Sequence, residues 1–282
     1  TRITRKIYLS SLDGRTPETV WFGKEVGTTR LASSELKSIF DGKAPFDTPK
    51  PTGLINRMLE IAGVQESDYV LDFFSGSATS AHAALNFSAS KKLAVNFIQV
   101  QVDETIDSNT PSGKVANSFG IGSMTGLGKE RIRRAGAKIK EETGADIDYG
   151  FRVYRLDESN MADVYHTPQD YDQDNLELFA DNVKEGRSAD DLLAQIMLDW
   201  GLPLSLKIEE VNIEGKRVFQ VAGNSLMACF ETGIDETFAK EVAKEEPLRI
   251  VFKDAGFASD TAKSNVKQLL KQLSPETEMK VI

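Results

Sequence analysis

Tyr69-Val70-Leu71-Asp72-Phe73-Phe74 is a short, nearly all-apolar run, the pattern of a strand buried on both faces of a parallel sheet. It gives way to the small residues Ser75, Gly76, Ser77 and Ala78, after which Thr79 is placed to cap a helix running to Leu85. The stretch therefore predicts strand, tight turn and helix, the first half of a βαβ unit. A second apolar run over residues 96–102 predicts the next strand, with Gln101 at its carboxyl end. Ahead of them, prolines on either side of Lys50 hold the backbone extended, and a helix follows over residues 52–62. That helix offers Leu54, Ile55, Met58, Leu59 and Ile61 to a core.

Nearer the N-terminus, residues 1–12 read as an edge strand, 13–15 as a turn and 20–22 as a second strand, followed by a helix to Phe40 capped at Ser33. Trp21 reads as packing. Residues 108–127, rich in Ser, Asn, Gly and Thr, read as a surface loop. Residues 128–142 predict an amphipathic helix whose basic face points to solvent, and 149–156 a strand. Beyond the acidic stretch 168–182, a helix from Ser188 to Trp200 leads into strands at 204–211, 216–221 and 225–230. A helix at 234–244, a strand at 248–252, a helix at 261–273 and a strand at 278–282 complete the chain.

Composition narrows the classes. The only cysteine of the 282 residues is Cys229, so no intrachain disulfide forms and a cytoplasmic setting is expected. Cys229 lies in the apolar run 225–230 and reads as a core residue rather than a nucleophile. No apolar run approaches the roughly 20 residues that span a bilayer, and the N-terminus has no secretory leader pattern. Net charge is −9, distributed as +3 over residues 1–50, −2 over 51–160 and −10 over 161–282. The acidic last part is a poor surface for a phosphate backbone, so any contact with nucleic acid is expected from the first half or from polypeptide outside this chain. The sequence does not begin with Met and is expected to be a piece of something longer.

The chemistry sits at the turn. Gly76 admits a ligand where a Cβ would obstruct it, and a turn at the carboxyl end of a parallel strand presents backbone N–H groups and a helix N-terminus. Asp72 can orient the turn or meet an ammonium group. Gln101 stands where nucleoside-binding sheets usually place an acid for the ribose, with Asp103 and Glu104 as possible substitutes. His82 reads as structural. The turn lacks Gly-x-Gly-x-x-Gly, against a dinucleotide-dependent oxidoreductase, and lacks Gly-Lys-Ser/Thr, which excludes a P-loop nucleotidase.

Three segments together, Phe46-Asp47-Thr48-Pro49-Lys50-Pro51-Thr52-Gly53, the turn Asp72–Thr79 and the strand ending at Gln101, resemble motifs X, I and II of the amino-methyltransferases acting on DNA. Their order is that of the circularly permuted β class. The resemblance is close to the modification subunit of type III restriction–modification systems, and the segments 248–257 and 272–278 resemble its C-terminal part. It implies an α/β fold: an incomplete Rossmann-like S-adenosyl-L-methionine-dependent methyltransferase half with a smaller α+β C-terminal domain. The expected organisation is a leading segment (1–45), the cofactor domain (46–165), a linker (166–187) and an assembly domain (188–282).

The implied cofactor-binding residues are Phe46, Thr48, Lys50, Asp72, Phe73, Phe74, Ser75, Gly76, Ser77, Ala78, Thr79 and Gln101, with no metal. Ala78 stands where the family's second glycine falls. The implied partners are double-stranded DNA, a type III restriction subunit and a second copy of the chain, with no membrane. In this family an Asp-Pro-Pro-Tyr motif holds the adenine amine. None of the nine prolines here adjoins another, so no catalytic residue is expected within the chain, which alone should be inactive. The alternative is an interaction module of the same fold that no longer binds cofactor.

Overall fold

The computed structural model describes residues 16–162 and 183–282. The expected edge strand at 1–12, the turn at 13–15 and the acidic stretch 168–182 lie outside them. The chain divides into two compact units, Thr1–Val153 and Tyr154–Ile282.

In the first unit, α1 (Gly23–Val26) and α2 (Thr29–Ile39) precede α3 (Thr52–Ala62). The sequence expectation of a strand at 20–22 is not met. Those residues are non-regular and lead into α1, and Trp21 donates its indole N–H to the Glu18 carbonyl at 2.7 Å. Nor does Ser33 cap a helix. The helix starts a turn earlier because Thr28, in extended backbone, accepts from Leu31 N–H. Helix α3 has the expected bounds, but its N-cap is Pro51, which has no polar side chain. Glu35, reaching from α2, supplies the missing acceptor for Thr52 N–H at 3.0 Å. Glu35→Ala should therefore cost about 1 kcal/mol, read as a lower melting midpoint of the first unit.

The central element is β1 (Tyr69–Asp72), α4 (Thr79–Lys91) and β2 (Asn96–Gln99), with β1 and β2 paired in parallel, Leu71 opposite Ile98 and Asp72 opposite Gln99. Helix α4 has no polar face to spare. Ala81, Ala83, Ala84, Leu85 and Phe87 are all buried, as expected of a helix packed on several sides. It packs against α3, both strands and α6 (Met124–Thr143).

Residues 108–127 are not a loop. Thr110 caps α5 (Pro111–Ser118), which has proline in its first turn, and Ser123 caps α6. Thr-Pro is a helix-start signal, and Ala116, Ile121 and Leu127 join a core with Leu36, Ile39 and Phe40. The expected strand at 149–156 is absent. Tyr149 and Phe151 pack instead on the core of α4 and α6, and Tyr149 donates to the Ala145 carbonyl at 2.8 Å.

In the second unit, α7 (Ala189–Asp199) begins with a reciprocal cap between Ser188 and Asp191. A five-stranded sheet runs in order β3 (Ile208–Ile213), β4 (Lys216–Val221), β5 (Leu226–Cys229), β6 (Arg249–Phe252) and β7 (Glu278–Val281). Its first two pairings are antiparallel and its last two parallel. Alternate residues divide between two cores. Val218, Met227, Cys229, Ile250 and Phe252 face α8 (Glu236–Lys244) and α9 (Asp260–Leu273), whereas Phe219, Val221, Leu226, Ala228 and Val251 face α7. Cys229 is fully buried, and burial raises its thiol pKa, in keeping with a packing role.

Candidate cofactor site at the turn after β1

The apolar run 69–74 delivers the chain to an open corner. Gly76 has φ +50°, and a Cβ added there would meet only the Phe74 carbonyl oxygen, at 4.0 Å. The turn is held from three directions. Asp72 accepts Phe74 N–H on one carboxylate oxygen at 3.1 Å, and its other oxygen accepts the Ser80 hydroxyl. Ser80 Oγ also lies 2.8 Å from the Gln99 side chain. From β2's end, Gln101 Oε1 accepts Gly76 N–H at 2.8 Å while its Nε2 donates to the Val102 carbonyl. Each end of that carboxamide makes one bond within the protein, so Gln101 pins the turn and keeps a second N–H and a second lone pair.

The third support comes from beneath. Arg131, on α6, is completely buried, against the expectation that the basic face of residues 128–142 is solvated. Its Nη1 donates to Ser77 Oγ at 2.9 Å, to the Ser77 carbonyl at 3.2 Å and to Thr79 Oγ1 at 2.7 Å, and Nη2 lies 3.5 Å from His82 Nδ1. Burial pulls the guanidinium down to about 10, with Glu35 opposing, so it stays charged at neutral pH. Gly128 of α6 lies over Ala78, where an added Cβ would make an ordinary contact of 3.5 Å with the Ala78 methyl.

Thr79, expected as the N-cap of α4, is its first residue. Ala78 takes the cap position in left-handed backbone, at φ 57° and ψ 42°, with no side-chain cap. The Thr79 hydroxyl is turned inward to Arg131 instead. The start of α4 is thus left without a side-chain acceptor, the condition in which a helix N-terminus favours an anion or an electronegative ligand atom.

The remaining sequence-predicted residues divide. Ser75, Ser77, Ala78 and Thr79 are buried, so a ligand meets this turn through its backbone and the Gly76 gap, while Phe73 and Phe74 are exposed. Phe46 packs into the α2–α5–α6 core. Thr48 and Lys50 are exposed, and neither is tied by a hydrogen bond or ion pair among the described residues. Their segment leads into α3, which packs along α4. Asp103, expected as a substitute ribose ligand, is instead bonded by Ser123 and Thr125 at the start of α6, which holds its carboxyl below the usual range. No group of three or more His, Cys, Asp or Glu side chains suited to a metal is found among the described residues.

His82 meets Arg131. Its Nδ1 faces a permanent donor, so the ring proton belongs on Nε2. Burial, then Arg131 and Lys138, lower its pKa from 6.5 to about 3. The unfolded chain protonates below pH 6.5 and the fold does not, so stability is level above pH 6.5 and falls as pH drops from there toward 3. The slope should approach about 1.4 kcal/mol per pH unit. Urea titrations at pH 7 and 5 should show this loss, and His82→Gln should remove it.

Residues 3–106, which contain the parallel strands, the small-residue corner and the start of α4, match the family model described as DNA methylase. The chain is more particularly similar to modification subunits of type III restriction–modification enzymes. It is 30% identical over 176 residues to the StyLTI Mod subunit of Salmonella typhimurium, covering 62% of this chain and 24% of that protein. With the EcoPI Mod subunit of Escherichia phage P1 it shares 28% over 263 residues, 89% of this chain and 38% of the relative. With the EcoP15I Mod subunit of Escherichia coli it shares 30% over 243 residues, 82% and 34%. The similarity therefore runs through both units, and the chain spans about a quarter to two fifths of the length of these relatives.

Proposed function

We propose that this chain supplies the S-adenosyl-L-methionine-binding part, and a C-terminal α+β assembly unit, of an adenine-N6 DNA methyltransferase of the type III restriction–modification kind. The observation that carries the reading is the corner at Gly76, held open by Gln101 and Arg131 within the segment that matches the DNA methylases.

The residues present fit this cofactor. Gly76 leaves room at the strand end, Asp72 sets a negative charge beside the turn, Lys50 stands exposed ahead of α3, and Phe73 and Phe74 offer apolar surface beside the corner. The bound cofactor supplies an electrophilic methyl group on a sulfonium. What this chain does is orient: Gln101, Asp72 and Arg131 fix the turn before the ligand arrives, so little ordering cost remains at binding. On this reading the first unit is an incomplete Rossmann-like domain.

Holding an adenine amine in line requires an acceptor pair and a stacking ring, and the Asp-Pro-Pro-Tyr motif that implies them in the resembled family is missing from this sequence. The chain alone is therefore a binder without turnover, and its complete protein would act in the cytoplasm, meet double-stranded DNA and a restriction subunit, and pair with a second copy. Incubated with tritiated S-adenosyl-L-methionine and adenine-containing duplex DNA, the 282-residue chain should transfer no label; robust transfer would overturn the assignment. No helix among the described residues is long and apolar enough to cross a membrane.

A further inference from the structure

The segment that carries Lys50 is stiff and is fastened at both ends. Pro49 and Pro51 are buried while Lys50 between them is exposed, and a residue ahead of proline is confined to extended backbone. Neither proline has an N–H to donate. The fastenings fall just outside these three residues: Ser112 on α5 donates to the Asp47 carboxylate at 2.8 Å, and Glu35 on α2 accepts Thr52 N–H at 3.0 Å. The first bond is exposed and the second partly buried. A charged acceptor shielded from water and placed at a helix N-terminus makes the stronger tie.

The same carboxylate belongs to the framework beneath the corner. Helix α2 is fastened to α6, where Lys138 donates to Ser38 Oγ at 2.9 Å and Arg134 to the Ile39 carbonyl at 3.3 Å. On α6 stands Arg131, whose bonds to Ser77 and Thr79 hold the turn, and the Glu35 charge favours its protonated form. We propose that Glu35 is a positioning residue of the cofactor site: it holds the start of α3 to the α2–α6 pair that carries Arg131, and so fixes where the Lys50 ammonium stands relative to the Gly76 corner. The inference rests on the cofactor reading. The one anionic group of S-adenosyl-L-methionine is its carboxylate, and an exposed ammonium with no ion pair among the described residues is its chemical complement. With the start of α3 released, Lys50 keeps its charge but must be ordered by the ligand, at a cost in affinity. The adenosine part of the ligand makes no such demand.

The test titrates S-adenosyl-L-methionine and methylthioadenosine, which lacks the amino-acid carboxylate, into the parent chain, Glu35→Ala, Glu35→Gln, Lys50→Ala and the combined Glu35→Ala, Lys50→Ala chain. Circular dichroism and melting curves accompany each titration. Glu35→Ala is expected to weaken S-adenosyl-L-methionine about tenfold and to leave methylthioadenosine within about twofold of the parent. Glu35→Gln, whose carboxamide oxygen can still accept Thr52 N–H, should recover most of that loss. In the Lys50→Ala background, Glu35→Ala should cost no further affinity, because its effect runs through the lysine. A merely structural role gives another pattern, in which both ligands weaken together and the two substitutions add. That pattern overturns the proposal, as does parent-like affinity for S-adenosyl-L-methionine in Glu35→Ala. A folded parent chain that binds no S-adenosyl-L-methionine overturns the cofactor reading itself, and the positioning role with it.

Discussion

Arg131→Ala is expected to lower the stability of the first unit by about 3 kcal/mol or more and to weaken S-adenosyl-L-methionine binding at least about tenfold. Removing a fully buried long side chain opens a cavity between α6 and the turn, and three oxygens on Ser77 and Thr79 lose their donor at once. Relief from burying a charge works in the opposite direction. It is the smaller effect, because Nη1 is fully engaged and the guanidinium remains protonated, its pKa only drawn down to about 10, although the buried Nε has no partner. The turn would then lose the support that holds Ser77 to Thr79 in place, and the ligand would have to order it. Arg131→Lys should recover part of the stability but little of the affinity, since an ammonium lacks the planar fork. Melting curves paired with calorimetric titrations separate the two effects. An Arg131→Ala protein with unaltered affinity would show that the corner does not depend on its underside.

Gly76→Val should abolish measurable binding of S-adenosyl-L-methionine. The residue's φ of +50° is left-handed backbone, which a β-branched side chain adopts only at a cost of about 1–2 kcal/mol. The space around it is open, so the effect on the fold stays near that figure. The new methyl groups would stand in the gap through which the ligand approaches. The same substitution thus combines a modest loss of stability with a complete loss of binding, a ratio that general unfolding would not give. Gly76→Ala, smaller and unbranched, should fall between.

Much of this site was legible from residue order. The all-apolar run before a cluster of small residues gave β1 and the corner, the apolar run over 96–102 gave β2 with an end three residues too late, and the proline-flanked lysine gave α3 to the residue. What escaped was long-range. Arg131 lies in a helix with Lys129, Arg133 and Arg134, and charge alone assigns it to the surface. Its burial has no local signature, because its acceptors Ser77 and Thr79 lie 54 and 52 residues away along the chain. Glu35 capping α3 from another helix carries no local signature, because Pro51 itself offers no acceptor. Thr79 read as a cap from its type, yet a buried cation outcompeted a backbone N–H for its hydroxyl. Residues 149–156 have strand composition, but Tyr149 and Phe151 spend their apolar surface on α4 and α6. Residues 108–127 have loop composition, and only Thr110-Pro111 announced the helix there.

The corner's purpose is tested most directly by isothermal calorimetry of S-adenosyl-L-methionine into the folded chain and into Gly76→Val, with circular dichroism confirming that both are folded. The account predicts saturable micromolar heats for the first and none for the second. Flat titrations with the folded parent chain, or equal affinity in both proteins, would contradict it.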